Sequence, residues 1–438
     1  YIIGNSYSCL LLSTLISNRK VYLICDKHFL GGVFNGYTSP IGHFDLGMNY
    51  IEIYKEREND IKLFNPNKRN DFLKFTHKIN KYFKDNFKLK KVPVGLSYIN
   101  GELHEDFIIF DKLSFLSKIP RTDKEAILSQ LNFSKKIHPS NKYSNKDYQN
   151  YSYKYICKTL YGSFFYENYL EPFLKKVFNC DGSEIPAIFH RLAWMPLYYP
   201  ETIKDAINGV FIKVTNHFYY PETGNFNKVV APLKDIIQNS SNIEISNKKA
   251  QFTSNQSIKL DNKILKSNDV FIGKNIKKLS NEDSPSRTSL ILVFTKIKSN
   301  NLNKVFSVIN VIDNKTPIFR ITNQSIHSRG DDFYKLCFEV NKDYLLNNFN
   351  EINVIDEINA FLLKNKIVKK MLSSDMMLVK HFDQIIELPT FKNFESFNNT
   401  KIMFNNFNLL SPAMSFFSNS LNEQITESIK ASEILNNE

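Results

Sequence analysis

The sequence predicts an α/β protein: a Rossmann-like domain interrupted by a second, α+β domain with a mixed or antiparallel sheet and a helical cap. Three observations predict it. The chain opens strand–helix–strand, its middle turns to short strands separated by polar turns, and its end returns to a helix. At 438 residues it is also too long for one ordinary core, so two interleaved domains follow.

Taken in order, residues 1–3 and VYLIC (21–25) read as short apolar strands, and the intervening SCLLLSTLIS reads as a helix. The opening YIIG reads as the end of a buried strand rather than a secretion leader, so a Met or a few residues are expected before Tyr1. Residues 70–90 and 121–180 read as mainly helical, with YENYLEPFLKKVF carrying apolar residues at three- and four-residue spacing. From about 211 to 310, NIEIS, SIKL and DVFIG read as short strands, and SLILVF, FRITN and KLCFEV extend the pattern. A closing helix is expected from near Ser420 through ITESIKASEIL. The expected division is 1–65, 205–285 and 390–438 for the first domain, and 66–204 with 286–389 for the second.

Composition bounds the function. Hydrophobic residues make up 42%, with 37 Phe and 22 Tyr, which supplies a packed interior and excludes a disordered tail. No uncharged apolar run is long enough to predict a membrane span. The five cysteines, at 9, 25, 157, 180 and 337, form no CxxC pair and read as reduced thiols of a cytoplasmic protein. The formal charge is +13, yet only eight of the 57 basic residues are Arg, and the Lys are spread along the chain. That is a solvated surface rather than a nucleic-acid footprint, and it is compatible with an anionic small substrate or contact with a membrane surface.

Glycine placement carries more information. Of 14 glycines, six lie in the first 47 residues. Gly4 follows a strand and opens a helix, where a sharp turn brings backbone amides and the positive helix end toward a pyrophosphate. Ser6 and Cys9 stand where a G-x-G-x-x-G loop has its later glycines. Gly31 and Gly32 follow the second strand, which ends at Cys25. The acid that binds ribose hydroxyls would then be Asp26, one residue late, and a residue that merely begins a turn is the equal alternative.

These segments occur in an order that resembles the flavin-dependent amine oxidase, protoporphyrinogen oxidase and phytoene desaturase superfamily, with UDP-galactopyranose mutase a relative. LICDKHFLGGVF is similar to its strand, acid and Gly-Gly segment, with Val33 where Arg is usual. HFDLGMNYI (43–51) resembles the segment under the flavin ring, with Asp45 and Gly47 matching. YGSFFYENYLEPFLKKVFN, HRLAWMPL and FYYPETGNFNKVVAPLKDII follow at family-like distances, and SLNEQITESIKASEIL resembles the closing helix. In that helix Glu427-Ser428 stand where Ser-Gly is customary, and Asn405-Asn406 are the nearest candidates for the preceding Gly-Asp. The resemblance implies a Rossmann-like FAD-binding domain of the GR2 type. It assigns Gly4, Ser6, Cys9, Cys25, Asp26, Gly31, Gly32, Gly47, Asn405, Asn406 and Ser428 to the cofactor.

In such flavoproteins the ring accepts a hydride or electron pair while the protein positions the substrate. The cavity beside residues 42–50 would be lined by His43, Asn49, Arg191, Tyr219, Tyr220 and Arg320. Arg320 could clamp a carboxylate or phosphate, or be a structural Arg paired with an acid. Tyr219 and Tyr220 could stack on a substrate or belong to the core, and His190 reads as a structural histidine. The 330–332 Gly-Asp-Asp reads as a surface turn. No nucleophile–base pair, HExxH, P-loop lysine or metal cluster is present in the sequence. Three functions are thus expected: an FAD-dependent oxidoreductase acting on a small organic substrate, a non-redox flavin-dependent nucleotide-sugar mutase, or a catalytically inactive binding or scaffold protein.

Overall fold

The computed structural model describes residues 1–53, 70–133, 145–190, 193–211, 217–253, 257–280, 286–327, 332–349, 352–414, 416 and 420–437. Its first sheet is parallel throughout. The strand order is Ile243–Ser246, Val21–Ile24, Ile2–Ile3, Phe271–Ile272, Asn408–Leu409. The three central strands are almost wholly buried, as a parallel sheet covered on both faces requires, and the two outer ones are more exposed. After Ile2–Ile3 the chain lays its next strand on one side, and Phe271–Ile272 later pairs on the other. The turn after Ile3 therefore lies at a topological switch point, on the carboxyl side where open α/β sheets bind ligands. Between Ile243–Ser246 and Phe271–Ile272 the crossover is a three-stranded antiparallel meander, Ala250–Phe252, Ile258–Leu260 and Lys263–Leu265.

The second sheet has seven strands in the order 377–387, 287–298, 333–341, 318–323, 308–311, 96–99, 102–105. Only the contact of Val308–Val311 with Leu96–Ile99 is parallel. Period-two alternation gives it two apolar faces. Ile291, Val293, Ile321, Phe338 and Val340 pack under the helices Lys342–Asn348 and Val354–Lys364. Leu292, Phe294, Val308 and Cys337 face the other way and join the cluster that contains Tyr7, Leu10 and Leu23 of the first domain. The first sheet takes its strands from 2–3, 21–24, 243–246, 271–272 and 408–409, and the second from 96–105 and 287–387. A ribbon of Ile51–Glu52, Phe218–Pro221 and Leu89–Lys91 ties the two together.

Local readings deviate in instructive ways. The first helix is Tyr7–Leu15, one residue earlier than SCLLLSTLIS, because Ser6 caps it. Residues 89–91 are strand rather than the end of the helix Asn70–Asn86. The closing helix is Leu421–Asn437. Among the described residues no helix is long and apolar enough to cross a membrane.

Candidate functional site

Residues 42–50 run along the face of the second sheet that carries Lys296, Lys335 and Glu339. At Gly42 an added Cβ would meet Lys296 Cε at 3.2 Å and Lys335 Cε at 3.9 Å. At Gly47 it would meet Glu339 Oε2 at 3.1 Å, and the φ of +75° is itself unfavourable for any larger residue. Asp45, between them, is 1% exposed. Its Oδ1 accepts from Phe226 N at 3.0 Å and its Oδ2 from the Tyr220 hydroxyl. Its backbone is clamped by Gln324, whose Oε1 accepts from Asp45 N at 2.9 Å and whose Nε2 donates to Asp45 O at 2.8 Å and Gly47 O at 3.2 Å. Burial pushes the Asp45 carboxyl up to about 6 against the pull of these donors and of Lys335.

Against Gly47 lies a cluster of buried polar side chains around Glu339. Arg320 and Glu339 are cross-strand neighbours, 6% exposed each, with Nε 3.6 Å from Oε1. That is an ion pair outside hydrogen-bonding geometry, and neither of those two atoms has another partner. Asn310 pairs with Arg320 on the next strand. Among the described residues, Asn310 Oδ1, Thr322 Oγ1 and Asn49 Nδ2 are likewise buried without hydrogen bonds, while the Tyr50 hydroxyl is near Ser307. Burial raises the Tyr50 hydroxyl far above its ordinary value, with Asp106, Arg320 and Glu339 acting on it through space. Burial also raises the Glu339 carboxyl, and Arg320 opposes that rise. Buried polar atoms are rarely left unpaired, so a concentration of them in one place marks a site for a polar ligand or water.

Of the six cavity residues expected from sequence, Arg320 belongs to this cluster, and Asn49 is two residues beyond Gly47 with a buried, unbonded Nδ2 among the described residues. Thr38 Oγ1 lies 2.9 Å from His43 Nδ1. Burial lowers its ring pKa, and Lys335 and Lys234 add to the effect. Lys296 and Lys335 are directly opposed across adjacent strands, which concentrates positive charge there. Tyr220 is a structural residue committed to Asp45, and Tyr219, its strand neighbour, points the other way and pairs with Ile51 and Lys91. Arg191 lies outside the described residues, as do Gly330 and Asp331 of the expected turn. His190 is buried beside Tyr148. Sequence reasoning missed Tyr50, Thr322, Asn310 and Glu339. The signal for Glu339 was present, since KLCFEV places a lone acid among Leu336, Cys337, Phe338 and Val340.

The dinucleotide end is built differently from expectation. Gly4 fits its place: its φ is +133°, and an added Cβ would lie 2.7 Å from Gly273 O. Gly31 N donates to Asn5 O at 2.9 Å and packs on Val230, which holds the second turn against the first, while the space beside Gly32 is open. The first helix has three amides without an in-helix carbonyl, those of Tyr7, Ser8 and Cys9, because Leu10 N already reaches Ser6 O. Ser8 N donates to Gln424 Oε1 at 3.1 Å, and Cys9 N donates to Ser6 Oγ at 3.4 Å. Ser8 Oγ donates to Ser411 O at 2.6 Å, and Ser411 N donates to Glu427 Oε2 at 2.5 Å. Cys9 is fully buried, with its sulfur against Gly273.

Four residues assigned to a cofactor, Ser428, Asn405, Asn406 and Asp26, have surroundings other than those expected. Ser428 is 0% exposed, and its hydroxyl donates to Ser8 O and Gln424 O, so it joins two helices. Asn405 and Asn406 precede the strand Asn408–Leu409, at the amino end of a parallel strand, whereas Gly4 stands at a carboxyl end. Asp26 is exposed, and its carboxylate caps the turn Lys27–Phe29 by accepting from His28 N at 2.9 Å. Cys25 is half-buried, and burial lifts its thiol to about 12. As folded, these residues do not fit the diphosphate of FAD. Two of its three candidate amides are taken by protein oxygens, and a buried carboxylate stands one backbone unit from Ser8.

No protein-family model matches the sequence, and no curated protein matches it. Solved structures do. Reduced UDP-galactopyranose mutase has a TM-score of 0.70 at 11% identity, over 99% of this chain and 92% of that one. A candidate protoporphyrinogen oxidase from Exiguobacterium sp. 255-15 gives 0.63 at 13%, over 99% and 97%. Putrescine oxidase bound to putrescine gives 0.57 at 9%, over 100% and 98%. The chain has the fold of this group across its full length, as the resemblance implied.

Proposed function

We propose that the protein binds a small organic anion between its two sheets, with Arg320 as the principal contact. The single observation that carries this is the gathering, among the described residues, of unpaired buried atoms from Asn310, Arg320, Thr322 and Glu339 on one face of the second sheet. A carboxylate or phosphate oxygen would give Arg320 Nε the acceptor it lacks. Asn49 Nδ2 and the Tyr50 hydroxyl are further donors. Glu339, whose carboxyl is raised by burial and held down by Arg320, would stand beside that ligand, where a carboxyl can give or take a proton. The lysine pair at Gly42 would draw an anion toward the cluster.

A second reading, an FAD-dependent oxidoreductase acting on that anion, is favoured by the full-length likeness to oxidases. It fits the turns at Gly4 and Gly31 and conflicts with the occupied amides at Ser8 and Cys9. The mutase reading is favoured by the likeness to UDP-galactopyranose mutase alone.

Titration calorimetry with succinate, inorganic phosphate and UDP tests the site. At least one should bind, and Arg320→Lys, which keeps the charge but not the planar fork, should weaken it by roughly tenfold or more, the worth of one charge-assisted hydrogen bond. Equal binding by the variant would remove Arg320 from the site. An absorption spectrum of the protein as purified separates the flavin readings from the first.

A further inference from the structure

We infer that the closing helix replaces the dinucleotide: the Gln424 side chain, with Glu427 behind it, occupies the place at the first helix where a diphosphate would dock, so the chain folds complete without FAD.

The argument starts at the amides. An anion-binding helix start needs backbone N–H groups that nothing else has taken. Here Gln424, 3% exposed, brings Oε1 to 3.1 Å from Ser8 N. An amide oxygen on that donor does what a phosphate oxygen would do, and the bond is permanent because both partners belong to packed helices. The neighbouring amide, Cys9 N, is closed by Ser6 Oγ. Ser8 Oγ, the nearest hydroxyl, is spent on Ser411 O.

Charge points the same way. Glu427 is 6% exposed and accepts from Ser411 N, and Ser411 O is the acceptor for Ser8. A diphosphate at Ser8 would add two negative charges close to that buried carboxylate, in surroundings where repulsion is poorly screened. The helices are also locked behind the plug, since Ser428 Oγ donates to Ser8 O at 3.0 Å. Van der Waals space follows suit. A Cβ at Gly273 would lie 2.3 Å from Cys9 Sγ, so the strand ends and the first helix are already in contact.

This inference is independent of the Arg320 cluster, which could bind its ligand whether or not the cradle holds FAD. The test titrates FAD into the full chain and into Gln424→Gly/Glu427→Gln, following flavin fluorescence quenching and the absorption spectrum. The parent should be colourless as isolated and show no saturable quenching, whereas the double variant should bind FAD at least tenfold more tightly than the parent. Stoichiometric FAD on the parent overturns the inference, and so does a folded double variant that gains no affinity. If the double variant does not fold, hydrogen exchange at Ser8 N in the parent decides. Protection that FAD leaves unchanged supports the plug, and exchange that FAD alters overturns it.

Discussion

At the scale of single residues, the decisive feature is how the sealed Asp45 carboxylate is satisfied. Its folded pKa stands at about 6 against an ordinary 3.8, with burial the main cause. The folded state therefore binds more protons than the unfolded chain across that window. Stability contributed by this group is fully present below about pH 4, falls as pH rises toward 6, and stays lower above it. Tyr220→Phe removes one of the two donors that make the charged form tolerable. It should cost about 1.5–3 kcal/mol at pH 7, where the carboxylate is ionised, and less at pH 4, where it is neutral. Urea unfolding at the two pH values checks this, and a loss equal at both would show that the hydroxyl does not serve the charge. Glu339 differs in kind. Its carboxyl faces a single guanidinium, with Nε 3.6 Å from Oε1 and no hydrogen bond between those atoms, so the pair is not satisfied as Asp45 is.

At the scale of elements, one buried lysine fixes a helix to the second sheet. Lys176, on the helix Glu171–Phe178, is fully buried and donates to Asp313 O at 2.7 Å, Ile318 O at 2.8 Å and Thr316 O at 3.1 Å. Burial brings its pKa down to about 7 from 10.5. Between those values the unfolded chain holds a proton that the folded chain has released, so stability rises with pH from about 7 to 10.5 and gains nothing more beyond. Lys176→Met should abolish that rise and lower stability by about 1–3 kcal/mol for each carbonyl left dry. Melting temperatures from pH 7 to 10 read out both effects. Elements were legible in the sequence where pattern is local. SLILVF and KLCFEV are nearly unbroken apolar runs, as strands buried on both faces are, FRITN alternates, and each lies in the second sheet. The strand Met377–Glu387 escaped because it is an edge strand whose Lys380, His381 and Asp383 interrupt any apolar run. The same limit governs the sites. Gly4, Gly31 and Gly47 announce themselves as turns, and Arg320 stands out among eight arginines. The bond from Ser8 to Gln424 spans 416 residues and has no local signature.

At the scale of the molecule, residues from both ends of the sequence build one sheet and the helices packed on it. Ile2–Ile3 is the middle strand of the first sheet, and the closing helix packs on the first helix beside it. Removing residues 421–438 would expose the partners of Leu421, Ile425 and Leu435, which are 4%, 0% and 8% exposed. At about 1.5–3 kcal/mol each, their loss amounts to about 5–9 kcal/mol, comparable with the total stability of about 5–15 kcal/mol for a typical fold. The second sheet has its own apolar cluster under the helices Lys342–Asn348 and Val354–Lys364, and that cluster owes nothing to the closing helix. The truncated chain should therefore lose the first domain and keep the core of the second. Hydrogen exchange would then show fast amides at Leu10, Leu12 and Leu23 and slow ones at Val293, Ile321 and Phe338. Uniform protection would mean that the first sheet stands without its last helix, and uniform loss would mean that the shared face around Asp45 and Gln324 makes the two sheets a single cooperative unit.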